Sequence, residues 1–420
     1  MATSFPNIRL GLVCFAAISV ALPIGIISTA KLLLLLCAVT VMAGGLLRRN
    51  DRLSSPTGAT TPMILLALAA MAASSAWTTG SSDEALSAIV KHGKLMLIPA
   101  FLCLVRTRRE ALTALACFVG AQVFLLLSTW LLVLGLPLPW AKNPVANGSY
   151  AIFSTYLDQS IMTAVLAAMC WHLKACAPAR HRALFTKLAL AVCTLALACV
   201  FFIFQGRTGH VVAIALVALA LLWEMPKRYR IGVVAIPLAL VALLAFTTGN
   251  GTHGLTEIGK GIETFNQSRD ISASSSAIRL NLWHRSLQSI SENPVWGSGV
   301  GSWGRELNRA EALYAPATFV RITANPHQEY LLWGIELGVP GILLLLGVLA
   351  ALYRDSLRLE VPARRALQSA LAALALACLF NCALYDALIG DFLCIAVALA
   401  LAMGACPAPT MPRTRIPALV

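Results

Sequence analysis

The chain has 420 residues, 59% of them hydrophobic and 12% charged, with a net charge of +14. No soluble core needs so much apolar side chain, and the excess falls in runs long enough to cross a bilayer, which takes about 20 residues as helix. The basic residues sit in short loops between those runs, which is how topology is encoded and argues against nucleic acid as a partner.

The expected fold class is all-α, a polytopic integral membrane protein of about twelve spans. Helices satisfy their own backbone in lipid, and the alternation of an outer-membrane barrel is absent. The 12 cysteines lie in or beside apolar runs, with none between 248 and 326 and no CxxC pair, so neither a disulfide framework nor a zinc site is expected.

The first runs are Leu10 to Ile27, read as an uncleaved span, and Leu32 to Leu47. The basic loop Arg48-Arg49-Asn50-Asp51-Arg52 follows, then a third span from Pro62 to Trp77. A polar turn with Asp83 and Glu84 precedes a fourth, Lys94 to Val105, and Arg106, Arg108 and Arg109 return the chain to the basic side. Spans from Leu112 to Leu134, Tyr150 to Leu173 and Leu188 to Phe204 come next. The short connection Gln205-Gly206-Arg207-Thr208-Gly209-His210 turns into an eighth span ending near Trp223, and a ninth ends near Phe246.

Residues 248–326 form the one long hydrophilic segment. They divide nine spans in 1–247 from three in 327–406, with a basic tail at 407–420. This scheme puts 20 of the 32 Lys and Arg inside and 12 outside, seven of those 12 in the long loop, where they count little. Both termini are then cytoplasmic and the loop faces outward. Within it, Leu280, Trp283, Leu287 and Ile290 have the spacing of one helix face. Glu292-Asn293-Pro294 ends that helix, and Gly297, Gly299, Gly301 and Gly304 make a tight connection to a second, Arg305 to Tyr314. Amphipathic helices resting on the outer leaflet are the plain reading, and a lid over a cavity the alternative.

The stretch from Thr323 to Gly341, TANPHQEYLLWGIELGVPG, places His327 where the loop meets the tenth span, with Asn325 as the expected cap. His327 is followed by Leu331, Glu336, Gly338 and Gly341. This pattern resembles the O-antigen ligase family, which is related to O-antigen polymerases and O-linked oligosaccharyltransferases. The segment IRLNLWHRSLQSISENPVWGSGVGSW also looks like that family's loop, so the resemblance covers about residues 200 to 342. A helix-capping histidine beside interfacial Tyr330 and Trp333 is the plainer reading of His327.

The resemblance implies a membrane glycosyltransferase of the bacterial inner membrane with its site on the periplasmic side. Its donor is an O-antigen glycan on undecaprenyl diphosphate, and its acceptor is lipid A–core oligosaccharide. His327 is then the general base, at an unperturbed pKa of about 6.5. Arg207 and Arg279 are the matches for arginines serving the donor diphosphate. Arg207 is unusual by itself, a guanidinium between two apolar spans, with glycines whose amides suit an anion. A snorkelling anchor is its plain alternative.

Arg285, His210, Asp158, Asp386 and Glu336 are secondary candidates. Glu336 is too far along an ideal helix to orient His327, so its role is open. No DxD, HExxH or Walker pattern stands in the outer loops, and neither a metal nor another cofactor is expected. Polymerase and protein oligosaccharyltransferase activities stay open. A twelve-span transporter is disfavoured by the lack of an internal repeat.

Overall fold

The apolar runs fold as helices in the computed structural model, which describes residues 4–47, 58–141, 150–230, 232, 275–312 and 325–404. No strand occurs among the described residues. In order, α1 is Ser4–Ser19, α2 Ile24–Leu47, α3 Thr60–Ser74, α4 Ser82–His92, α5 Leu97–Leu104, α6 Arg108–Val133, α7 Tyr156–Leu173, α8 Arg182–Ala198 and α9 Arg207–Glu224. The later helices are α10 Ser275–Glu292, α11 Trp303–Ala312, α12 Glu329–Ser356, α13 Val361–Phe380 and α14 Ala387–Ala402.

Seven helical stretches among the described residues are long and apolar enough to cross a membrane. Three shorter apolar helices, Asn7–Ser19, Thr60–Ser74 and Ala387–Ala402, accompany them. The described residues are thus all-helical, with the apolar helices of a multi-pass membrane protein. α7 falls outside both groups because Asp158, Gln159 and Ser160 dilute its first turns. It is nonetheless central, buried without a break from Gln159 to Met169, as α14 is from Leu388 to Ala402. Their Ala, Ser and Gly side chains let neighbours approach closely. The expected ninth span, the acidic residues Glu257, Glu263 and Asp270, the basic loop 48–52 and the tail lie outside the described residues.

Three expectations are corrected. The fourth run starts at Ser82, not Lys94: the Ser81 hydroxyl accepts from Glu84 N and the Glu84 carboxylate accepts from Ser81 N, a capping box that makes the acidic turn the first turn of a helix. α12 is capped by Gln328, whose Oε1 accepts from Leu331 N at 2.6 Å, and not by Asn325. Trp333 is not interfacial but wholly buried, and its Nε1 donates to Glu329 Oε1 at 3.1 Å.

α12 is broken where its sequence demands it. Pro340 has no N–H and crowds the carbonyl four residues back, that of Glu336. Gly338 leaves the helical conformation with φ 69°. The glycine-rich connection 293–301 repairs the break. Ser298 N donates to Ile335 O at 2.7 Å, Gly299 N to Glu336 O at 3.0 Å, and Val339 N to Pro294 O at 2.7 Å.

The fit excludes side chains. A Cβ at Gly297, whose φ is +63°, would stand 2.5 Å from the Gly338 and Leu337 nitrogens. On its other side the connection is held by the turn after α3, with Thr79 N on Ser298 O at 2.9 Å and Val300 N on Ser74 Oγ at 3.0 Å. Glu336 closes the joint, its carboxylate accepting from Gly301 N at 2.9 Å and pairing with His92 Nε2 at 2.8 Å.

α10 packs on α12. Its buried face runs through Asn281, Leu282, Arg285, Ser286, Ser289 and Ile290, while Leu287 of the expected apolar stripe is exposed.

Candidate functional site

The turn Asn325-Pro326-His327-Gln328 builds the front of α12. His327 has φ 54°, a left-handed conformation that costs a side-chain-bearing residue about 1–2 kcal/mol. Asn325 enforces it: its Oδ1 accepts from His327 N at 2.9 Å, and its Nδ2 donates to Asp386 Oδ1 at 3.0 Å. The imidazole is half-buried and has no hydrogen-bond partner among the described residues. Burial, and then the Arg279 charge, hold its pKa below the usual imidazole value. It is therefore neutral, and able to take a proton, over a wider range than an ordinary histidine.

Arg279 comes from the first turns of α10. Burial, and then the like charge of Arg207, lower its pKa. The two guanidiniums thus lie within electrostatic reach of one another, and Arg279 lies within reach of His327. Arg207 is exposed at the first position of α9, just past a π turn, Cys199–Ile203, that ends the preceding helix. Helix N-termini carry partial positive charge, which adds to its guanidinium.

The neighbouring glycines allow close packing against α7. A Cβ at Gly209 would stand 2.1 Å from Ser160 Oγ, and one at Gly206 2.9 Å from it.

The connection between α13 and α14, residues 381–386, ties these parts together. Asn381 Oδ1 accepts from Arg279 Nη2 at 3.5 Å, and its Nδ2 donates to Thr208 Oγ1 at 3.4 Å. Asp386 takes the Asn325 bond, and burial raises its carboxyl above the usual range. Two buried groups grip the connection from below. Lys94 Nζ donates to the carbonyls of Leu384, Tyr385 and Asp386 at 3.2, 2.9 and 2.7 Å. The Glu329 carboxylate accepts from Leu384 N at 3.0 Å and Tyr385 N at 3.2 Å.

Four elements therefore bring His327, Arg279, Arg207 and Asp386 to one end of the bundle. Asp158, in the first turn of α7, lies within electrostatic reach of Asp386. The remaining candidates fall elsewhere. Arg285 is buried on the packed face of α10, where it donates to Gln288 Oε1 at 3.4 Å. The His210 ring stacks on Phe201 with centroids 5.6 Å apart. Glu336 belongs to the break in α12. A surface cleft of about 490 Å³, lined by Trp77, Thr79, Asn293, Trp296, Gly297 and Ser298, lies on the docked connection and touches none of the candidate residues.

Residues 191–346 match the family model described as O-antigen ligase. That stretch belongs to the O-antigen ligase family. No curated protein matches the chain. The O-antigen ligase stretch contains Arg207, Arg279 and His327. It leaves out Lys94 and Asp158 before it and Asn381 and Asp386 after it, which complete the geometry.

Sequence reasoning missed Asn381, Lys94, Glu329 and His92. The last three are charged or titratable groups within or at the start of stretches apolar enough to span a membrane, the signal by which intramembrane functional residues are found. Asn381 has no such signal, because asparagine at a helix end is commonplace.

Proposed function

We propose that the protein is an O-antigen ligase, an inverting glycosyltransferase that moves O-antigen polysaccharide from undecaprenyl diphosphate to lipid A–core oligosaccharide. The reading includes twelve spans, cytoplasmic termini and a site on the periplasmic face of the bacterial inner membrane. The donor's polyprenyl tail stays in lipid, while α10, from the hydrophilic segment, brings Arg279 to the site. The observation that carries it is the half-buried imidazole of His327, its pKa lowered by burial and by the nearby charge of Arg279, within a stretch that matches the O-antigen ligase family model.

In this reading His327 takes the proton of the acceptor hydroxyl as its oxygen attacks the anomeric carbon of the donor. The carbon–oxygen bond to the diphosphate breaks, and a single displacement inverts the centre. Arg207 and Arg279 stabilise the charge that develops on the leaving diphosphate, the task a divalent cation performs in other glycosyl transfers.

The test is a glycan-transfer assay with purified protein, undecaprenyl-diphosphate glycan and lipid A–core, run in EDTA and beside His327→Ala. Product that survives EDTA and disappears in the variant supports the ligase. Elongation of the donor moves the function to a polymerase, and labelling of a protein moves it to an oligosaccharyltransferase. Flipping of the donor across proteoliposomes without transfer would make it a transporter.

A further inference from the structure

Arg207 and Arg279 carry like charges and act on one another, from two helices whose contributing residues stand 72 positions apart in the chain. Something must set their separation. The Asn381 side chain reaches both sides of the pair: its oxygen accepts from the Arg279 guanidinium, and its nitrogen donates to Thr208, the neighbour of Arg207.

The residue is built into a rigid support. The backbone that follows it is gripped by the Lys94 ammonium and the Glu329 carboxylate, and Glu329 is fully buried. Asn381 itself is half-buried. Its two hydrogen bonds, at 3.5 and 3.4 Å, are long. Such bonds commonly tighten only when a ligand draws the groups together.

We propose that Asn381 is a positioning residue for the donor site, a neutral spacer that holds Arg279 against the repulsion of Arg207 so that both guanidiniums address one diphosphate. Neutrality is the essential property. A carboxylate at 381 would form an ion pair with Arg279 and compete with the ligand, and an apolar group would leave the two charges to part. The inference rests on the donor reading above, because it needs an anionic group between the arginines.

The test uses the full chain in nanodiscs, with undecaprenyl diphosphate as ligand and undecaprenyl monophosphate as control. Binding is measured for the parent, Asn381→Leu, Asn381→Asp and Thr208→Val, together with the melting temperature of each. The parent should prefer the diphosphate. Asn381→Leu should weaken that binding about tenfold, the scale of one hydrogen bond to a charged group. Asn381→Asp should weaken it further, and Thr208→Val, which keeps the buried volume, only a few-fold. In transfer assays the losses should appear in KM for donor and leave kcat near the parent value.

If the parent binds diphosphate and both Asn381 variants bind it equally well, the spacer role is overturned and the donor reading survives. Equal losses in Asn381→Leu and Asn381→Asp, matched by equal falls in melting temperature, would also overturn it, since a purely structural residue gives that pattern. A parent that binds no lipid diphosphate would remove the donor reading and this inference together.

Discussion

The two ends of the first half of α12 are built on opposite plans. At the break, 336–340, the backbone groups freed by Pro340 and Gly338 find partners at 2.7–3.0 Å, and glycines leave no slack between the docked segments. At the front, 325–328, a histidine is held in a left-handed conformation, its ring lacks a partner among the described residues, and nearby hydrogen bonds stretch to 3.5 Å. The closed joint is what permits the open one. Strained residues and like charges persist only where the surroundings over-determine them. Here the determination comes from the joint ten residues along the helix and from the buried grip on 381–386.

The comparison can be broken at the joint or sharpened at the front. Gly297→Ala should have the largest effect, since a left-handed backbone and a 2.5 Å approach are both violated. A cost of ~3 kcal/mol or more is expected, read as loss of the monodisperse species in detergent melts. A parent-like melt would mean that the joint can breathe.

His327→Ala comes next, with transfer falling roughly 10²–10⁴-fold, the usual contribution of a general base, and donor binding within about threefold of the parent. His327→Asn, which tolerates the left-handed conformation, should be equally inactive, separating chemistry from backbone geometry. Arg207→Ala should weaken donor binding by about tenfold. Unchanged binding would remove it from the site.

The smallest expected effect is a displacement of the pH profile. Because the His327 pKa is lowered, activity should persist below the ordinary imidazole pKa and be lost only as pH falls through the lowered value. Arg279→Gln removes one of the two causes, so the acid limb of kcat/KM against pH should move up. A limb that stays put would mean that burial alone sets it.

Much of the frame could be read before any coordinates, because period and apolar length dictate helices. The expected runs within the described residues are mostly helical, though the first, Leu10 to Ile27, is broken at 20–23 between α1 and α2 and the one from Tyr150 becomes helix only at Tyr156; the NPVWGSGVG pattern announces a tight connection. His327 and the two arginines were legible through the family pattern. Less so were the partners that make them a site. Ser81 and Glu84 carry a capping-box signal that moves a helix start by twelve residues, from Lys94 to Ser82, and brings His92 into the core. Glu336 was recognised as unusual, but its partner lies 244 positions away, a distance no local pattern spans. The buried face of α10 is displaced from its apolar stripe because polar Asn281, Ser286 and Ser289 are buried, Ser289 on Glu306 of α11 and Ser286 on the Leu282 carbonyl, and hydrophobicity alone cannot rank them.

The grip on residues 381–386 has a consequence for how the protein is made. Lys94 emerges from the ribosome long before the carbonyls it binds, and Glu329 waits for amides 55 and 56 positions downstream. Contacts of such sequence separation form late, because loop-closure entropy must be met before they contribute. The arginine-bearing helices and the histidine turn can therefore be synthesised and inserted without yet being a site. Only the arrival of α14 assembles them, so a nascent chain gains its reactive geometry after its insertion is complete.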